Sequence, residues 1–200
     1  FFIFIPYLFG LSIKGIELCP EKSILIPCLH EENFAYLDCI KRIFVKAKKI
    51  LFNAPPEMDL AQKLYGIPSE KCFLVSMGFD FDKKPDPEGF KQKYEISLPY
   101  ITYAGRREEG KNFHLLLEMV RLFQRIYPNK LQFITMGTPK VDLLSSDKDK
   151  ILDLGFVSEE DKINCFSGAL LNCQPSLNES FSIIIMESWI CKVPVLVHRN

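Results

Sequence analysis

The sequence predicts an α/β protein made of two Rossmann-like, doubly wound domains. Three observations carry that prediction. Short β-rich apolar runs alternate with amphipathic helical stretches along the chain. The alternation is interrupted once, by a stretch rich in Gly, Pro, Asp and Lys that lacks periodicity, between Gly78 and Pro87. The polar motifs that could carry chemistry follow directly on predicted strands, at the edge where such sheets bind ligands.

The first series reads strand 2–5, strand 23–27, helix 34–47, strand 49–52, helix 57–65 and strand 72–76. The apolar run 1–13 reads as a buried parallel strand entering a loop. It is broken by Pro6 and Gly10, falls short of the roughly 20 apolar residues a membrane span needs, and has no basic leader. Helix 34–47 rests on Phe34, Leu37, Ile40, Phe44 and Ala47 at helical spacing, with Lys and Arg opposite. Pro55 and Pro56 introduce helix 57–65 and Gly66 closes it.

The second series begins after a helix at 89–94. Strand 100–104 leads to helix 112–127, whose Leu115, Leu116, Met119, Val120 and Phe123 share one face. Strand 131–136, strand 151–154, a helix start at Ser158 with Glu160 and Asp161, and strand 170–174 follow. The run from Phe181 to Met186 is helix-compatible, with Ser180 as its cap, and strand 193–197 closes the series. The domains are therefore expected at 1–83 and 98–200, joined by a linker at 84–97. The chain starts in mid-strand and stops just after a strand, so a fragment of a longer enzyme lacking both ends is expected.

The 200 residues are 48% hydrophobic and 25% charged, a globular composition, and zero net charge leaves no footprint for nucleic acid. Seven cysteines without any C-x-x-C pair indicate buried free thiols in a reducing, cytoplasmic compartment, and no zinc site. The basic residues from Lys41 to Lys49 read either as a solvated helix face or as a face for peripheral contact with anionic lipid at the inner side of a membrane.

Two motifs in the second series are chemically suggestive. In Gly105-Arg106-Arg107-Glu108-Glu109-Gly110-Lys111, the glycine permits a turn off the strand, and Arg106 and Lys111 lie five apart around it. Such a pair can hold a diphosphate, Arg as a fork and Lys as a point charge. A solvated basic loop accounts for the spacing equally well, and Arg107, Glu108 and Glu109 are expected to be solvated. In the segment from Pro175 to Glu187, free N–H groups at a helix start form an anion site. Glu179 can accept from sugar hydroxyls and Glu187 can reach back, over two helical turns, to those of a ribose. The alternative places Glu179 in a turn and Glu187 on a solvated face. Against it, Glu187 stands among Ile184, Ile185, Met186, Trp189 and Ile190, and a carboxylate there needs a partner.

His30 follows a strand in the first series and could bond the transferred group or the incoming hydroxyl; closing a turn through Glu31 or Glu32 is the structural alternative. His114 and His198 lack comparable placement. Asp80 and Asp82 flank one residue of the interdomain stretch, a poor position for a metal–diphosphate site. A P-loop and a Ser-His-Asp arrangement are missing; a G-x-G-x-x-G is missing as well, and that counts against a nicotinamide dehydrogenase.

These pieces resemble the group 1 retaining glycosyltransferases (family 4, GT-B fold). They are Ile26-Pro27-Cys28-Leu29-His30-Glu31, Val75-Ser76-Met77-Gly78-Phe79-Asp80, Tyr103-Ala104-Gly105-Arg106 with Lys111, Leu154-Gly155-Phe156-Val157, and Pro175 through Glu187 with Pro194-Val195. The resemblance implies Gly105, Arg106 and Lys111 on the donor diphosphate, Glu179 on the sugar and Glu187 on the ribose. It implies Ser180, Phe181 and Ser182 as the backbone of the sugar and phosphate pocket, Phe156 and Val157 at the base edge, and His30 beside the transferred sugar. It further implies a nucleotide-diphosphate sugar as co-substrate, a saccharide or lipid-linked acceptor, and no metal or other cofactor. Ser180-Phe181-Ser182 stands where the family has Gly-Phe-Gly. That departure leaves two other outcomes open, a catalytically silent nucleotide-sugar-binding protein and a nucleotide-sugar epimerase.

Overall fold

The computed structural model describes residues 1–78, 84–179 and 181–199. These form two compact units, one of residues 1–78 with 178, 179 and 181, the other of residues 84–177 and 182–199. Each is an open, wholly parallel sheet with helices in the crossovers, the expected α/β class. Asp80, Asp82 and Ser180 lie outside the described residues.

In the first unit, strands β1 (Phe2–Phe4), β2 (Ser23–Leu25), β3 (Lys49–Phe52) and β4 (Cys72–Leu74) lie side by side in chain order. Helices α1 (Gly10–Leu18), α2 (Asp38–Lys46) and α3 (Pro55–Tyr65) connect them. Right-handed crossovers that always step the same way put their helices on one face. One cluster of buried residues, including Ile16, Leu25, Ile43, Phe44, Ile50 and Phe52, accordingly joins all three helices to the sheet.

Two expectations in this unit are corrected. The run 1–13 is neither a buried strand nor a loop in its second half. β1 is an edge strand with Phe2 and Ile3 exposed, and α1 starts at Gly10. Gly15 permits that helix, because a Cβ there would lie 2.2 Å from the Phe4 ring. The helix expected over 34–47 is broken at Leu37, whose ψ of 137° is extended. A 3-10 turn (Asn33–Tyr36) precedes α2, and Phe34 and Leu37 are exposed. The tertiary reason is Ala35: it is fully buried, and its carbonyl accepts from the Tyr65 hydroxyl at 2.7 Å.

In the second unit the order is β7-β6-β5-β8-β9, from β5 (Tyr100–Ala104), β6 (Gln132–Met136), β7 (Ile151–Gly155), β8 (Leu171–Gln174) and β9 (Val195–Val197). Helix α5 (Phe113–Ile126) packs with Tyr103, Phe133 and Ile151 on one face. α4 (Pro87–Lys93), α6 (Glu159–Gly168) and α7 (Ile183–Ile190) pack with Tyr100, Ala104 and Ile134 on the other. The strand residues alternate between these clusters, as a sheet covered on both faces requires. Asp86 accepts from the Gly89 N–H at the start of α4, and Ser158 from the Asp161 N–H at the start of α6.

All seven cysteines are free thiols; Cys165 and Cys173 are buried, and the other five are half-buried. Burial pushes the Cys165 and Cys173 thiols up to about 12, which leaves them packing groups. No helix among the described residues is long and apolar enough to cross a membrane.

Candidate functional site

The order of the second sheet reverses between β5 and β8, the two neighbouring strands whose following connections diverge. A crevice opens at the carboxyl ends of such a pair. From β5 the chain enters the loop 105–111, and from β8 it enters residues 175–179. The two are joined there: the Leu177 N–H donates to the Gly110 carbonyl at 3.0 Å. Beneath them the Gln174 side-chain amide donates to the Ala104 carbonyl at 2.9 Å.

The mouth of β5 needs glycine on both sides of a contact with the neighbouring strand. Gly105 and Gly137 have φ of 151° and 134°, and a Cβ on Gly137 would stand 1.9 Å from the Gly105 carbonyl oxygen. This close approach leaves a pocket of about 260 Å³ lined by Gly105, Arg106, Gly137, Phe156, Val157 and Lys162, among others. Four of the residues expected at the site, Gly105, Arg106, Phe156 and Val157, are thus brought together.

The two arginines of the loop have different environments. Arg106 is 73% exposed and pairs at 3.1 Å with the half-exposed Glu108. Such a pair contributes about 0–1 kcal/mol, so its guanidinium is open to exchange for another anion. Arg107 was expected in solvent and is instead 3% exposed. Its guanidinium donates to both oxygens of Asp153, to Thr135 Oγ1 and to the Pro139 carbonyl, and lies over the Phe113 ring. Sequence gave no means of telling the two apart, because the deciding partner is Asp153 on β7. Lys111 is half-buried at the end of a 3-10 turn (Glu109–Lys111), just before α5.

Glu187 is 8% exposed and sits on α7 little more than one turn from its start, so the expected two-turn reach is shortened. Its apolar surroundings demanded a partner, and Lys162 of α6 supplies one. Lys162 Nζ lies 2.9 Å from Glu187 Oε1 and 2.6 Å from Glu159 Oε2. Burial pushes the Glu187 carboxyl above its usual range, and Lys162 only partly offsets this. Burial opposes the Lys162 charge as well, but its bonds to Glu159 and Glu187 hold the ammonium above its ordinary value. Glu187 Oε2 is buried and has no hydrogen-bond partner among the described residues. Lys162 was missed by sequence reasoning. The available signal was its helical register with Cys165 and Phe166, both fully buried.

Of the segment after β8, Ser176 is buried, and its hydroxyl has no partner among the described residues. Ser182 is the N-cap residue of α7, and its side chain makes no capping bond among the described residues; the cap expected at Ser180 lies outside them. Phe181 is half-buried. Glu179 and Phe181 group with the first unit, where His30 also lies.

His30 follows β2 in a loop fixed by a buried carboxylate. Glu57, 3% exposed in the first turn of α3, accepts from the Leu29 and Asn53 N–H groups at 2.7 Å each. His30 does not close its turn through Glu31, which instead accepts from the Tyr36 hydroxyl. His30 Nδ1 is 3.6 Å from Glu32 Oε1, beyond hydrogen bonding, and Glu32 accepts from Tyr7. Among the described residues, no three His, Cys, Asp or Glu side chains are grouped to hold a metal.

The family described as glycosyl transferases group 1 matches residues 86–200. D-inositol 3-phosphate glycosyltransferase of Saccharomonospora viridis is 22% identical over 178 residues, 80% of this chain and 41% of that protein. The crystal structure of HepE of Anabaena in complex with UDP-glucose superposes with a TM-score of 0.70 at 17% identity, covering 94% of this chain and 56% of that one. Sucrose-phosphate synthase of Thermosynechococcus elongatus gives a TM-score of 0.73 at 15% identity, with 93% and 53% covered. The chain therefore spans less than two thirds of each of these proteins.

Proposed function

The chain belongs to the glycosyl transferases, group 1, and from that premise we propose that its second unit binds the diphosphate of a nucleotide sugar. The whole protein then transfers a hexosyl unit to a saccharide or lipid-linked acceptor, with retention of configuration and without a metal, in the manner of family 4. The observation that carries this reading is the bond from Leu177 to Gly110, which unites two loops at the switch point beside a pocket holding Gly105 and Arg106.

In this reading Arg106 and Lys111 take the diphosphate, and the first N–H groups of α7, following Ser180, Phe181 and Ser182, add the positive end of its dipole. Glu187 accepts from the ribose, and Phe156 and Val157 border the base. Glu179 holds the sugar hydroxyls, with His30 facing the transferred group. The acceptor attacks from the side the diphosphate leaves, and a diphosphate oxygen takes its proton. The positive groups stabilise the charge that develops on that leaving group, which is where electrostatic catalysis acts. The exposed Lys41, Arg42 and Lys46 of α2 form a solvated basic face, and contact of that face with anionic lipid is the peripheral part of the proposal.

The experiment is a thermal-shift panel of nucleotide sugars, followed by transfer assays. A donor at a hundred times its Kd adds about 2.7 kcal/mol of stability. Lys111→Ala and Arg106→Ala are expected to remove that shift and the turnover. If no nucleotide sugar raises the Tm of the protein, the proposal is wrong.

A further inference from the structure

We infer that Lys162 is a positioning residue of the donor site, holding Glu187 as an ionised, one-directional acceptor for the ribose diol. The inference rests on the nucleotide-sugar reading above and adds a residue which that reading does not contain.

Three observations carry it. First, Lys162 and Glu187 are both largely buried, with side-chain exposures of 13% and 11%, and they meet at 2.9 Å. An ammonium with four flexible methylenes is seldom taken so far out of water unless it is fixed to a counter-charge. Second, Lys162 engages only Oε1 of Glu187, while Oε2 is buried and has no partner among the described residues. A buried carboxylate oxygen left without a donor is costly, and a ligand that supplies the donor removes the cost. Third, Lys162 also lines the pocket that contains Gly105, Arg106, Phe156 and Val157.

Charge decides what this arrangement can take. Lys162 is shared between Glu187 and Glu159, so the trio carries one net negative charge. A cation already neutralised by two acids is ill suited to hold a diphosphate directly. A carboxylate with one oxygen pinned and the other buried and unpartnered among the described residues suits hydroxyl donors that enter from the adjoining pocket lined by Lys162, the chemistry of a ribose diol. Lys162 therefore acts through Glu187. Without the ammonium, Glu187 loses the group that sets its orientation, and its burial favours the neutral acid, a poorer acceptor.

The test measures binding of uridine and guanosine diphosphates, and of their 2′-deoxy forms, by calorimetry. For whichever base the wild-type protein binds, the ribose form is expected to bind about tenfold more tightly than the deoxy form. Lys162→Met and Glu187→Gln should each lose most of that ratio, weakening the ribose form more than the deoxy form, which keeps only one of the two hydroxyls. Their double variant should lose no more than either alone, as expected of two residues that act as one unit. Lys162→Gln, of similar length and uncharged, carries the same expectation should the methionine variant not fold, and Lys162→Arg should restore part of the ratio. An equal loss for ribose and deoxy forms, or no loss, overturns the inference while the nucleotide reading stands. A wild-type protein that binds no nucleotide overturns both.

Discussion

The backbone N–H of Leu177 and the carbonyl of Gly110 meet at 3.0 Å, although the residues belong to loops that leave different strands. Backbone bonds of this kind fix loop geometry more firmly than side-chain pairs, because no rotamer freedom separates the bonded groups from the chain. Here the bond holds the loop of Arg106 and Lys111 against the segment that leads to α7. Both ends of the candidate anion site thus belong to one frame, and changes to that frame should be felt at the pocket.

Gly137→Ala is the most local change of that sort. The new Cβ would stand 1.9 Å from the Gly105 carbonyl oxygen, at a φ of 134° that side chains seldom adopt. Overpacking of this kind costs about 1–3 kcal/mol. Urea unfolding should show that loss, and nucleotide binding should weaken with it as the Gly105 loop is pushed aside. Wild-type stability in this variant would mean that the two turns do not touch.

Asp153→Asn tests the floor of the same loop. Both carboxylate oxygens face Arg107, and they also accept from the Val141 N–H at 2.7 Å and the Gly155 N–H at 3.0 Å. Removing one partner of a buried pair leaves the other charge uncompensated, which costs about 3–5 kcal/mol. The variant should unfold well below the wild type in a thermal scan at pH 7. Arg106→Ala, at an exposed position, should change stability by less than about 0.5 kcal/mol.

The contrast between these arginines shows what the sequence could convey. Strand 49–52 and strand 100–104 were legible to the residue, since their apolar runs are short and bounded by turn signals. α5 was legible as a helix because its apolar spacing is strong, but its buried face is Phe113, Leu116, Leu117 and Val120, and Leu115, Met119 and Phe123 of the expected face are exposed. By contrast, Arg106-Arg107-Glu108-Glu109 offers four adjacent charges, and only Asp153, forty-six residues further on, determines which one is buried. Lys162 was hidden for the same reason, since Glu159, Glu160, Asp161 and Asn164 give α6 a solvated look and its burial depends on α7. α1 was obscured by its even hydrophobicity and by an N-cap position, Phe9, that makes no capping bond.

Acid stability should depend on Asp147. Its carboxylate, 2% exposed, is gripped by the Arg121 guanidinium at 2.6 Å and accepts from the Leu144 N–H at 2.8 Å. Those bonds, with the Arg121 contact first among them, hold it below the usual carboxylate range. A depressed folded value contributes stability that is full above the ordinary Asp pKa of about 3.9 and is lost as pH falls through the folded value. Arg121→Gln should therefore cost about 1.5–3 kcal/mol at pH 7, and the cost should shrink towards pH 2. A cost that is the same at both pH values would exclude the pair as the cause.

The loop of His30 offers the last test. Glu57 Oε1 accepts from the Leu29 N–H and Oε2 from the Asn53 N–H, so one carboxylate ties the loops after β2 and β3 together. It also braces Cys28, which has a φ of 54°, a strained value for a residue with a side chain. Glu57→Gln keeps the size of the side chain but supplies one acceptor and one amide. The amide must then face a backbone donor, and one buried N–H loses its partner at a cost of about 1–3 kcal/mol. Hydrogen exchange should locate the effect: the Leu29 and Asn53 amides lose protection more than those of the β5–β6 pair, which lie in the other unit. If the loss were uniform across both units, Glu57 would be a general stabiliser and not the clamp of the histidine loop. Under the proposed transfer reaction, which puts His30 at the transferred group, a loop loosened in this way should also lower kcat and leave nucleotide affinity unchanged, because His30 and the pocket beside Arg106 belong to different units.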